Sequence, residues 1–208
     1  MTLIVHHLNN SRSQRILWML EELGLPYDIK HYQRDAKTML APPELRKVHP
    51  LGKSPMLEDE GRIIIETGAI CEYLVEKADG KLGAPAHRDA ALLYRQYLHY
   101  AEGSMMPPLL LMLVVNRIPL MGKTVAKRIQ PMIDVHLDYV ESELASRPWF
   151  AGDEITAADI MMSFPLEAAG SRAGLDASRP ATTAWLAKIH ARPAYQVALE
   201  KGGPYAYA

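Results

Sequence analysis

Chemistry in this chain of 208 residues can start at a few side chains, and Ser11 comes first. It follows the apolar run Thr2–Leu8 and precedes a helical pattern, so its hydroxyl sits where a helix begins. Capping that helix is the commonplace use of such a serine. The same hydroxyl can instead donate to an anion drawn to the positive helix end. A thiolate is such an anion. A reference thiol titrates at about 8.5, and a hydrogen bond to a charged group is worth about 1.5–3 kcal/mol. At about 1.36 kcal/mol per unit, that converts a mostly protonated thiol into a mostly ionised one near neutral pH. Asn10, Arg12 and Ser13 are rivals for this role.

Three further groups stand out. Ser54-Pro55 is an X–Pro step, whose trans preference of about 0.5–1 kcal/mol is small enough for a fold to hold it cis. Glu66-Thr67 opens a helical pattern, where a carboxylate can pair an ammonium and a hydroxyl with a backbone N–H suits a carboxylate. Lys53, with His49 a weaker second, puts a cation in the same loop as Pro55, as a solvated lysine or as a carboxylate ligand. Thr156 and Asp159 have the spacing of a capping box, a folding device. The single cysteine, Cys71, lies among apolar neighbours inside a helical pattern and reads as a buried, inert thiol.

The elements that must position these residues fall into two groups. Strands are expected at Thr2–Leu8 and Tyr27–Tyr32, with a helix between them whose apolar residues are Ile16, Leu17, Leu20 and Leu23. That β-α-β unit implies parallel strands. An irregular stretch with a short helix from Pro43 leads to a hairpin, residues 56–58 and 62–65 around Asp59-Glu60-Gly61, then to a helix over 67–77. Beyond a linker at 83–86 no strand is expected. Long helical patterns cover 88–101, 124–146, 156–169, 180–191 and 193–201, with Pro107-Pro108 expected to kink or break the first. The reading is an α/β thioredoxin-like domain, residues 1–80, and an all-α helical bundle, residues 87–208.

Composition sets limits. With 49 % apolar residues the chain can bury a proper core. The formal charge is −1, and the parts before and after Gly80 carry 10 basic against 12 acidic and 13 against 12 residues. Neither part is basic enough to suggest a nucleic acid or an anionic membrane as partner. One cysteine excludes an internal disulfide, a CxxC pair and a thiolate metal cluster. The start of the chain lacks a secretory pattern, and the longest apolar run, residues 109–115, is far short of the ~20 residues of a membrane span. A cytoplasmic location is the expectation.

Four motifs, in order and over nearly the whole chain, resemble cytosolic glutathione transferases: HLNNSRSQRILWMLEELGLPYD, HPLGKSPMLED, IETGAICEYL and WFAGDEITAADI. The likeness is to the serine-type group, in its bacterial and fungal branch. The resemblance implies the glutathione transferase fold, with glutathione as co-substrate and no cofactor or metal. It implies that Ser11, four residues before Arg15, stabilises the glutathione thiolate. Ser54, before a cis Pro55, would pair its main chain with the cysteinyl part. The family commonly has valine or isoleucine before that proline, but the contact is main-chain. Glu66 and Thr67 would hold the γ-glutamyl end and Lys53 the glycine carboxylate. A hydrophobic electrophile would meet Tyr100, Ser104, Met105 and Pro108, with Tyr205 and Tyr207 from the tail. A two-fold homodimer is implied too, with Glu72, Glu76, Arg88, Tyr94, Arg95 and Tyr97 as interface candidates. A glutathione-dependent disulfide reductase or peroxidase, or a non-catalytic glutathione-binding relative, stands as the alternative.

Overall fold

The computed structural model describes residues 2–207. In chain order its elements begin β1 (Leu3–Leu8), α1 (Ser13–Leu23), β2 (Tyr27–Tyr32), α2 (Leu45–Val48), β3 (Met56–Asp59), β4 (Arg62–Ile64) and α3 (Thr67–Lys77). There follow α4 (Arg88–Tyr100), a π-turn (Ala101–Met105), α5 (Met106–Val115), α6 (Gly122–Ser146), α7 (Ala157–Arg172), α8 (Pro180–His190) and α9 (Pro193–Gly202). They form two compact units: the chain up to Gly83 with Ala191–Ala206, and Ala84–His190 with Tyr207.

The first unit is thioredoxin-like. Its four-stranded sheet has the order β2-β1-β3-β4, β1 running parallel to β2 and antiparallel to β3. Leu3, Val5, Leu8, Met56 and Leu57 are buried, as are Ile16, Leu17, Leu20 and Leu23 of α1. α1 stops at Gly24, whose φ of 73° is left-handed and whose N–H closes on the Leu20 carbonyl. Glu60 and Gly61, at φ 50° and 78°, make the tight turn between β3 and β4.

The last helix departs from the expected division, since α9 packs on α1 of this first unit. Gln14 donates its side-chain amide to the Ala198 carbonyl at 2.8 Å, and Arg192 grips the Glu22 carboxylate with two nitrogens. Trp18 and Tyr195 meet edge to face at 5.4 Å. Gly202 lets the backbones approach, since a Cβ there would lie 2.4 Å from Gln14 Oε1. A helical pattern shows that a helix forms, not which neighbour covers its apolar face.

The second unit is all helical. Its centre is α7, on which every residue from Ala157 to Ala169 is buried. α4 and α5 pack on α7, α5 also on α6, and α6 on α8. Tyr97, Phe150 and Trp185 join their rings, with centroids 4.7 and 5.2 Å apart along the row. Pro107-Pro108 does not break the chain's first long helix. The π-turn just before it takes up the irregularity, and the prolines stand in the first turn of α5, where a missing N–H costs nothing. The whole run Arg88–Val115 is therefore long and apolar enough by composition to cross a membrane. Here Tyr97, Leu98, Leu109, Met112 and Val115 of that run are buried within the protein.

Candidate active site

Ser11 lies in the tight loop from β1 into α1. Asn10 takes a left-handed φ of 49°, which asparagine tolerates, and the loop is tied on both sides. Arg34 donates its Nε to the Asn9 carbonyl at 3.1 Å and its backbone N–H to Asn9 Oδ1 at 2.8 Å. From the tail, the Ala206 N–H donates to Asn10 Oδ1 at 2.8 Å. The Ser11 side chain is thereby held at the first turn of α1, where its oxygen accepts the Ser13 N–H at 3.2 Å. It is buried and also lies 2.8 Å from Ser13 Oγ.

The rivals are placed differently. Ser13 is fully buried, and its oxygen touches the Leu8 N–H and carbonyl and His7 Nδ1 as well as Ser11. The Asn10 side chain is engaged by the tail, and Arg12 is half-buried. Burial holds His7 neutral, its ring lowered to about 4, with the edge-on His31 ring adding to the effect and the Gly202 backbone opposing it.

The remaining glutathione-binding candidates come to the same end of the sheet as Ser11. The end of β1 leads to Ser11, and the start of β3 follows Pro55, with His6 opposite Met56. The end of β4 leads to Glu66, with Ile64 opposite Leu57. Ser54-Pro55 is cis, and the Ser54 hydroxyl donates to the His6 carbonyl at 2.9 Å, tying the loop to β1. Glu66 is exposed, with a φ of 67°, and its carbonyl accepts the Ile70 N–H as α3 starts; Thr67 beside it is buried. Lys53 is exposed in the loop. The start of α1 and the start of α3 thus share one end of the sheet with an exposed lysine, an environment favourable to anions.

Tyr100, Ser104, Met105 and Pro108 follow one another along the α4–π-turn–α5 run. Ser104 is exposed, Met105 and Pro108 are buried, and the half-buried Tyr100 shares a 2.5 Å hydrogen bond with His136 Nδ1. Tyr205 is half-buried, and Tyr207 sets its ring 5.6 Å from that of Phe164. Cys71 is buried and its thiol pushed up to about 12 by desolvation, so it is no nucleophile at neutral pH. Arg34, His7 and Ser13 are anchors that the sequence reading missed as such. One signal was legible: in β1 the alternation Leu3, Val5, His7 puts a polar ring on an apolar face.

Comparison with known proteins speaks to the family and the fold. Residues 1–76 match the family "Glutathione S-transferase, N-terminal domain" and residues 104–193 "Glutathione S-transferase, C-terminal domain". Glutathione S-transferase 3 of Schizosaccharomyces pombe is 39 % identical over 96 % of this chain and 87 % of its own. Glutathione S-transferase 1 of Saccharomyces cerevisiae is 34 % identical over 95 % and 94 %. The solved structure of a glutathione S-transferase from Actinobacillus pleuropneumoniae, 35 % identical, superposes with a TM-score of 0.88 over 97 % of this chain and 93 % of that one.

Proposed function

Because the chain belongs to the glutathione S-transferase family and is an enzyme of that kind, we propose that it ionises bound glutathione at Ser11 and transfers the sulfur to a small electrophile. The observation that carries this reading is the Ser11 hydroxyl, fixed by a tied loop at the N-terminus of α1. Its proton donates to the thiolate, and the helix end adds a positive field. The thiolate then attacks an electrophilic carbon, forming the C–S bond while the leaving group departs with its electron pair; the thiol proton passes to solvent. Proximity supplies the rest of the acceleration.

The other residues bind. The main chain of Ser54, before Pro55, pairs with the cysteinyl part of glutathione, Glu66 with its ammonium, the start of α3 at Thr67 with its α-carboxylate, and Lys53 with its glycine carboxylate. The electrophile is assigned to Tyr100, Ser104, Met105 and Pro108. The π-turn through Ser104 favours that choice, because such turns recur at functional sites. We place the enzyme in the serine-type, bacterial and fungal branch, as a cytoplasmic homodimer that detoxifies electrophiles; a one-chain mass in sedimentation would remove the dimer.

Ser11→Ala tests the centre of the proposal. The conjugation rate at neutral pH should fall about ten- to a thousandfold, while glutathione affinity changes little, because the lost bond serves the ionised state. A full rate in Ser11→Ala, with the rate lost in Asn10 or Ser13 variants, would overturn the assignment.

A further inference from the structure

We propose that the tip of the α5–α6 hairpin is a docking surface for an anionic lipid membrane. The inference is independent of the roles assigned to Ser11 and the other glutathione-binding residues.

The turn from α5 into α6 contains Ile118-Pro119-Leu120-Met121. Leu120 is 101 % exposed, Met121 67 % and Ile118 47 %. Leu110 and Val114, one helical turn apart on α5, are exposed as well. This end is firmly built. The Ile118 N–H donates to the Val115 carbonyl at 2.9 Å, and the Gly122 N–H to the Ile118 carbonyl at 3.2 Å. Gly122 packs against the end of α5, where a Cβ would stand 2.4 Å from the Val115 carbonyl oxygen. Leu120 has a left-handed φ of 64°, which leucine adopts at a cost and glycine does not. A polar turn residue would suit both that backbone and water. The fold instead holds a leucine out at the end of the hairpin.

The charge behind it is of one sign. From Gly103 to Ile133 the chain has four basic residues, Arg117, Lys123, Lys127 and Arg128, and no acidic one. All four are exposed, and among the described residues none is paired with a carboxylate. Counted over everything after Gly80, 13 basic residues nearly balance 12 acidic ones, which hides this segregation.

An apolar end with cations just behind it matches the layering of an anionic bilayer. Lys127 stands four residues, about 6 Å, along α6 from Lys123, and a headgroup layer is roughly 5–8 Å thick. With Leu120 and Met121 at the acyl boundary, Arg117 and the two lysines reach lipid phosphates while their stems lie along apolar surface. Two other occupants fit less well. A second copy would set one group of unpaired cations against another. A nucleic acid would answer the charge but not the leucine and methionine, and residues 103–133 include no aromatic ring on which bases stack. The inserted surface is small, so the docking is reversible.

The test is cosedimentation of the full chain with vesicles, at low ionic strength. One set is phosphatidylcholine alone, the other phosphatidylcholine and phosphatidylglycerol in roughly equal parts. The parent should bind the mixed vesicles and not phosphatidylcholine alone, and at ~0.5 M salt it should bind at least about fivefold more weakly. Leu120→Ser with Met121→Ser, and separately Lys123→Glu with Lys127→Glu, should each weaken binding about tenfold or more. These side chains are exposed, so both pairs of substitutions should leave folding, glutathione affinity and conjugation rate in solution unchanged. Leu120→Cys carrying a polarity-sensitive fluorophore reads insertion directly, since Cys71 is buried and escapes the label. Its emission should shift to the blue on mixed vesicles only. A parent that does not bind mixed vesicles overturns the proposal, as does equal binding to phosphatidylcholine alone. So does binding that either pair of substitutions leaves unchanged, or a fluorophore that stays in water. A mass in light scattering that falls when the tip is made polar would assign the patch to a second copy, and would overturn the proposal too.

Discussion

The starts of α1 and α7 are two answers to one physical problem. Each helix begins with backbone N–H groups that have no partner within the helix. At α7 the chain supplies its own anion. Asp159, wholly buried, accepts the Phe150 N–H at 3.0 Å, the Thr156 N–H at 2.9 Å and the Thr156 hydroxyl at 3.1 Å, completing a capping box. At α1 no acidic side chain stands in the first turn, and the capping is done by a neutral hydroxyl that keeps a proton to give. One helix start brings its own negative charge; the other, to which the proposed function assigns a negative ligand, does without.

The largest effect should fall on the closed start. Asp159→Ala leaves the Phe150 and Thr156 N–H groups without acceptors in a buried place, at about 1–3 kcal/mol each. We expect a loss of roughly 3–4 kcal/mol in urea unfolding, with glutathione affinity of the folded protein retained. Ser11→Ala should cost only about 1 kcal/mol, the usual worth of a serine cap. Equal destabilisation by the two variants would erase the distinction.

The same two regions should answer acid with opposite signs. His7 has a folded value of about 4 against an ordinary 6.5. Its contribution is whole above pH 6.5 and is lost as pH falls towards 4, about 3 kcal/mol in all at ~1.36 kcal/mol per unit. Burial pushes the Asp159 carboxyl up to about 6 from 3.8, so its linkage favours the fold at low pH and weakens it as pH rises through 6. His7→Gln should therefore flatten the loss of stability between pH 6.5 and 4, and Asp159→Asn should steepen it. A His7→Gln protein as acid-sensitive as the parent would show that His7 is not the group being titrated.

Local rules made one part of this molecule legible. The bounds of α3, the strand Tyr27–Tyr32 and the capping box all follow from neighbours within a few residues, and the motifs that carried the family and the cis Pro55 also singled out Ser11 and Glu66 as candidates. What stayed hidden was non-local. Arg34 holds Asn9 from 25 positions away, and Gln14 meets Ala198 across 184. Pro107-Pro108 pointed to a kink or a break because proline's local cost is certain, while the π-turn that absorbs it has no sequence signature of comparable strength.

The smallest predicted effect separates side chain from backbone at Glu66. Its φ of 67° with ψ of 121° is a conformation that a residue with a Cβ holds at a cost of order 1–3 kcal/mol. Glycine adopts such angles without that penalty. Nothing about capping α3 demands glutamate there, since the cap makes no side-chain hydrogen bond. On the proposed function the strain goes with the carboxylate, which is assigned there to the ammonium of glutathione. Two substitutions divide the effects. Glu66→Ala removes the carboxylate and keeps the strain, so glutathione should bind about tenfold more weakly, with stability nearly unchanged and a smaller change in maximal rate. Glu66→Gly removes both, and should bind as weakly as Glu66→Ala while unfolding at a higher urea concentration, by up to about 1 kcal/mol. Calorimetric titration and urea unfolding of both variants read the two terms independently. An unchanged dissociation constant in Glu66→Ala would sink the contact to the ammonium; a Glu66→Gly protein no more stable than Glu66→Ala would show that the left-handed backbone carries no strain to release.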